Sequence, residues 1–102
     1  MDSTTIRVTD FTRYPGGRYS SEGPGSGEEF CKTYLVPALG RWKRVHVVLA
    51  GAYGYPISFL EEAFGGLVRA GHSADELRQK LKISAGEDGF EPYVDKIWSV
   101  IE

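Results

Sequence analysis

A single cysteine, Cys31, stands among 102 residues. No internal disulfide can form, and no Cys-x-x-Cys pair is present for zinc or redox chemistry. The two histidines, His46 and His72, lie far apart in the chain and form no metal-ligand cluster. Long hydrophobic runs are missing too. The longest, "VHVVLAGA", is far too short to span a bilayer. The first residues, "MDSTTIRV", lack the charged-then-apolar order of a secretory signal. Charge of one sign does not accumulate. A net charge of -2 excludes a global basic field for nucleic acid or an anionic membrane. A reducing cytoplasm is the expected compartment.

What is present suffices for one small domain. The chain is 41% hydrophobic and 25% charged, which can close a single core and does not resemble a disordered segment. No internal repeat or linker divides it, so residues 1–102 are read as a single domain.

Residues 4–11, "TTIRVTDF", alternate apolar and polar and predict an early strand. A glycine-rich stretch follows at 12–27, with Tyr14 and Tyr19 flanking its Pro-Gly-Gly turn signal. Ser26 and Glu29 form a capping box that opens a helix. Its apolar face is Phe30, Cys31, Tyr34, Leu35 and Ala38. Pro37 is expected to kink or end this helix, and Gly40 to stop it. The valine-rich stretch 44–50 predicts a central strand buried on both faces. Ser58 and Glu61 read as a second capping box. The helix it opens has an apolar face of Phe59, Leu60, Ala63, Phe64, Leu67 and Val68, with Gly71 as its close. Ser73 and Glu76 form a third box. Residues 82–85 predict a short strand. The chain ends in a helix with Val94, Ile97, Trp98 and Ile101 inward. The order of elements predicts an α/β fold, a small mixed β-sheet packed with about four helices.

Gly65 and Gly66 fall inside the main helix. Each costs about 1 kcal/mol relative to alanine. Close approach to a neighbouring element is the expected reason, and a smooth docking patch is the alternative.

Candidate chemistry is sparse. The loop 15–27, with Gly16, Gly17, Arg18, Gly25, Ser26 and Gly27, invites a phosphate-cradle reading because backbone amides before a helix bind anions. It lacks the Gly-Lys-Ser/Thr of a P-loop, and Glu28 and Glu29 would repel phosphate. The adjacent Glu61 and Glu62 point about 100° apart on a helix and cannot flank one substrate. "RWKR", 41–44, is a lone basic patch that suits a helix C-terminus. No catalytic residue, metal or cofactor is expected.

The strings "PGGR", "SGEEF" and above all "GY-x-x-SFLEEAFGGLVR" resemble a bacterial family of STAS-like domains of unknown function, over about Ile6 to Gly71 and more weakly beyond. The resemblance implies the α/β sandwich of anti-sigma-factor antagonists. In those proteins a serine at the start of the helix after a central strand is phosphorylated by a histidine-kinase-like ATPase acting as a serine kinase. Ser58 falls at that place. The usual Asp-Ser-Ser-Gly-Leu pattern is here Pro56-Ile57-Ser58-Phe59-Leu60, and Ala50 stands where an acidic residue is common. The leading expectation is a non-enzymatic, cytoplasmic protein-binding module. It would dock through Tyr53, Tyr55, Pro56, Ser58, Glu61 and Glu62, with neither nucleic acid nor membrane as partner. The alternative is a small-ligand or nucleotide binder using the loop 15–27.

Overall fold

Alternating valines decide the centre of the molecule. In the computed structural model, which describes residues 2–102, strand β2 (Arg44–Val48) buries Val45 and Val47 and leaves the residues between them at least partly open. Strand β1 (Ser3–Arg7) pairs with one edge of β2, Thr4 opposite Val45 and Ile6 opposite Val47. Strand β3 (Leu81–Ser84) pairs with the other, Leu81 opposite Val45 and Ile83 opposite Val47. Both pairings are parallel, so the three-stranded sheet has the order β1-β2-β3 and is parallel throughout rather than mixed.

The α/β class is as read from the sequence, while several boundaries differ. Strand β1 takes in only residues 4–7 of the stretch 4–11. Val8–Phe11 turns into a short helix, α1, which buries Val8. The next helix is one long element in three parts: α2 (Gly27–Phe30), a π-helical segment (Cys31–Leu35) and α3 (Val36–Arg41). Pro37 neither ends it nor sits in its last turn, and Gly40 lies inside it. Pro37 has no N–H, and its ring would meet the carbonyl four residues back in a regular helix. The widened turn, in which the Val36 amide bonds the Cys31 carbonyl, takes up that misfit.

Helix α4 (Ile57–Arg69) is the main packing element. Phe59, Leu60, Phe64 and Leu67 are fully buried, each contributing about 1.5–3 kcal/mol. That sum outweighs the roughly 2 kcal/mol that its two glycines cost. Val68, expected on the apolar face, is 40% exposed. Gly71, at φ +107, closes the helix: its amide bonds Val68 and the His72 amide bonds Leu67. Helix α5 (Ala74–Lys80) is capped by Ser73, whose Oγ accepts from the Glu76 amide at 3.1 Å. Helix α6 (Glu91–Ile101) buries Ile97 and Ile101, with Val94 and Trp98 half-buried.

The glycine pair is explained inside the chain. A Cβ on Gly66 would lie 2.9 Å from Cys31 Sγ in the π segment. One on Gly65 would lie 3.3 Å from Val100 Cγ1 of α6. One on Gly27 would overlap the Phe59 carbonyl, so this glycine lets α2 press its start against α4. The buried sheet face and these helices share one hydrophobic cluster. The expectation that β2 is buried on both faces fails: the helices cover one face only.

Candidate functional site

Two loops meet beyond the carboxyl end of β2, the place where open α/β sheets present binding surfaces. One connects β2 to α4. The other is the glycine-rich loop before α2. The Tyr53 amide bonds the Arg13 carbonyl at 2.9 Å, and the Tyr53 ring stacks on Tyr14 with centroids 4.8 Å apart and planes 9° from parallel. Tyr53 is 77% exposed, Tyr14 66% and Ile57, in the first turn of α4, 59%. Pro56 is exposed beside them.

Tyr55, expected on the same surface, lies instead in the core at 5% exposure. Its hydroxyl donates to the Leu49 carbonyl at 2.8 Å, and its ring meets Tyr93 edge-on at 5.1 Å. Burial pushes its phenol well above the ordinary tyrosine range. Tyr55 anchors the loop and leaves Tyr53 outside.

Ser58 does not cap α4. Pro56 occupies the N-cap position, with extended backbone at φ -58 and ψ 143, and its carbonyl accepts from the Phe59 and Leu60 amides at 3.0 and 3.3 Å. Ser58 is therefore the second helical residue. No side-chain bond is made at this helix start, so the half-exposed Ser58 hydroxyl has no capping duty. The contrast with Ser26 is sharp. Ser26 is fully buried and its Oγ accepts from the Glu29 amide at 3.0 Å.

Glu61 and Glu62 tie the glycine-rich loop to α4. Arg18 Nη2 lies 2.5 Å from Glu61 Oε1, and Arg18 Nη1 lies 3.7 Å from Glu62 Oε1. Lys96 of α6 approaches Glu61 at 3.9 Å, and Arg69 approaches Glu62 at 2.6 Å. The hydrogen bond to Glu61 is the main reason the Arg18 guanidinium holds its proton even more firmly than usual.

The glycine-rich loop is internally satisfied. Glu22 Oε1 accepts from the Arg18 and Tyr19 amides, each at 2.9 Å. Glu28 Oε1 accepts from the Ser20 amide at 2.9 Å, which with Lys32 holds the Glu28 carboxyl below its usual range. The Gly16 amide bonds the Gly25 carbonyl and the Gly27 amide bonds the Gly17 carbonyl. The chain's own oxygens thus take the Gly16, Arg18, Tyr19, Ser20 and Gly27 amides that a phosphate cradle would draw on. Among the described residues no group of three or more His, Cys, Asp or Glu could hold a metal ion. Burial pushes the Cys31 thiol up to about 11, which leaves it protonated and unreactive at neutral pH. Among the described residues no helix is long and apolar enough to cross a membrane.

The family model for the STAS-like domain of unknown function (DUF4325) matches residues 26–89. The chain belongs to that family. The match starts at the α2 cap and spans β2, α4, α5 and β3. It therefore takes in the part beyond Gly71, where the resemblance read in the sequence is weaker, and leaves β1 outside. No curated protein and no solved structure matches the chain. Within this STAS-like domain, the sequence pointed to Tyr53, Pro56, Ser58, Glu61 and Glu62; the first two lie on the β2–α4 loop and the other three in the first two turns of α4. It missed Tyr14 and Ile57, and the link from Arg18 to Glu61. Tyr14 was legible only as a loop aromatic, because a contact across 39 positions leaves no periodic signal.

Proposed function

We propose that this STAS-like domain is a non-enzymatic regulatory module that docks on a protein partner. The docking surface is Tyr14, Tyr53, Pro56, Ile57 and the first turn of α4. The observation that carries the reading is the exposure of two stacked tyrosines, together with that of Ile57 four residues after Tyr53. Exposed aromatic and aliphatic groups gathered at one place mark interaction sites, and tyrosine is favoured in protein interfaces. A cytoplasmic setting and a serine kinase of the histidine-kinase-like ATPase type complete the proposal.

Ser58 is the point of control in this reading. A phosphate there would add about 1.5 to 2 negative charges at the positive end of a 13-residue helix. Glu61 and Glu62 would oppose that charge if they were free, but Arg18, Lys96 and Arg69 already pair with them. Because Ser58 holds no cap, its modification would alter the surface without removing a bond that starts the helix. The test is site mapping by mass spectrometry on the protein isolated from its source cells. Phosphate on Ser58 supports the switch. Its absence under every growth condition sampled, including those in which the partner is released, removes the switch and leaves the docking surface. The small-ligand alternative has less support, since the loop's Gly16, Arg18, Tyr19, Ser20 and Gly27 amides are engaged by Glu22, Glu28 and backbone carbonyls.

A further inference from the structure

The sheet has one bare face. Opposite the buried residues, Ser3, Thr5, Arg7, Arg44 and Lys82 are exposed, while His46, Val48 and Ser84 are half-buried. None of them is buried. Parallel sheets are as a rule covered on both faces, so a bare face is a departure that calls for a covering layer.

Charge on this face has one sign. Thr5, His46 and Lys82 stand in one row across the three strands, with Arg7 opposite Val48 and Arg44 opposite Ser3 in the neighbouring rows. Arg7, Arg44 and Lys82 have no ion-pair partner among the described residues; the chain's ion pairs lie elsewhere. Their field reaches the middle of the face: after desolvation, the charges of Lys82 and Arg7 hold the His46 imidazole below its ordinary pKa. A groove of about 350 Å³ opens at one end, lined by Ser3, Arg44, His46, Arg78, Lys80 and Lys82. Of its cations, Arg78 is already paired with Asp75 and Glu102, and Lys80 donates to the Leu39 carbonyl. Arg44 and Lys82 remain free for an incoming anion.

Shape and chemistry narrow the occupant. Three strands about 4.8 Å apart and roughly 16 Å long make a platform about as wide as one α-helix. The face carries no Phe, Tyr or Trp, and its one imidazole, His46, is half-buried, so it has no broad platform for stacking successive nucleobases. A second copy presenting the same face would set like charges against each other. We infer that the bare sheet face is a second docking surface, which takes an α-helix of a partner protein whose contacting side carries carboxylates. Arg7, Arg44 and Lys82 would pair with those carboxylates, and Val48 would meet an apolar residue between them. This surface lies across the sheet from the helices and stands independently of the Tyr53 surface.

The test is an NMR titration of the isotope-labelled full chain with a synthetic helical peptide of about 14 residues, with glutamates and one leucine along one side. A second peptide has glutamine in place of each glutamate. Shifts at the amides of Thr5, Arg7, His46, Lys82 and Ser84 are expected with the first peptide. The double variant Arg7→Glu/Lys82→Glu should bind it at least about tenfold more weakly. If that variant does not fold, Arg7→Gln/Lys82→Gln serves instead, with a loss of about threefold or more. Absence of shifts on this face, or equal binding of the glutamine peptide, overturns the proposal. So does tighter binding of a thymidine oligonucleotide or inorganic phosphate at the same amides, or self-association through them.

Discussion

The rings of Tyr14 and Tyr53 stack 4.8 Å apart in the open, while Tyr55, two residues on, is sealed in the core with its hydroxyl on Leu49. The loop is therefore held from below and presents its aromatic surface above. Nitration with tetranitromethane, read by peptide mass spectrometry, is expected to modify Tyr14 and Tyr53 and to spare Tyr55. Tyr53→Ala should cost no more than about 1 kcal/mol of stability, the scale of one exposed aromatic pair. A loss several times larger would mean that Tyr53 holds the fold rather than a partner.

Ser58 and Ser26 follow the same Ser-x-x-Glu pattern but differ in duty. Ser26→Ala should lose about 1–2 kcal/mol, because a fully buried cap bond to the Glu29 amide goes with it. Ser58→Ala should change stability by less than about 0.5 kcal/mol. Denaturant unfolding of the two variants checks the contrast. Equal losses would put Ser58 back in a capping role.

That contrast shows what the sequence could and could not disclose. Three Ser-x-x-Glu patterns stand before a helical apolar run, and two of them cap. The third fails because Pro56, fixed in φ, already supplies the first accepting carbonyl, and a proline reads equally well just before a helix or just inside it. Strand and helix identities were legible because they rest on periods of two and 3.6. Strand direction was not, since the pattern of burial is the same for a parallel or an antiparallel neighbour. The bare sheet face was half-written in the alternation of Val45 and Val47 with Arg44 and His46, but the valine-rich run concealed it. Contacts between distant positions, Tyr14 with Tyr53 and Arg18 with Glu61, leave no mark in a single sequence. The continuous helix through Pro37 depends on a π turn that no propensity announces.

The two adjacent glycines should separate on substitution. Gly66→Ala places a methyl against Cys31 Sγ, 2.9 Å away, and is expected to destabilise by about 1–3 kcal/mol. Gly65→Ala meets Val100 and the end of Arg69 at 3.3 and 3.4 Å, where small shifts suffice. Its helix-propensity gain of about 1 kcal/mol should offset most of the crowding. Thermal unfolding should rank Gly66→Ala well below Gly65→Ala. The reverse order would contradict the packing given for Cys31.

His46 sets a pH dependence. Desolvation, then the charges of Lys82 and Arg7, lower its pKa below the ordinary 6.5, and its Nε2 lies 2.6 Å from Ser84 Oγ. The unfolded chain therefore takes up this proton at a higher pH than the folded one. Stability from the neutral ring is complete above about pH 6.5 and declines as pH falls towards the lower folded value. Relative to His46→Gln, the parent should lose stability on acidification through that window. A flat difference between the two would remove His46 from the account.

Quantitative capture of partners from the source cell tests the docking surface most directly. The baits are the parent, Tyr53→Ala, Ile57→Asp, Ser58→Asn and Ser58→Asp, each first shown to be folded. Parent and Ser58→Asn should recover the same partner at similar levels. Tyr53→Ala and Ile57→Asp should recover at least about tenfold less, the loss expected for truncating a central aromatic or burying a charge in an interface. Ser58→Asp should also lose it, if added charge is the switch. Equal recovery of the same proteins by the parent, Tyr53→Ala and Ile57→Asp would contradict the assignment of this surface as the place where the domain binds.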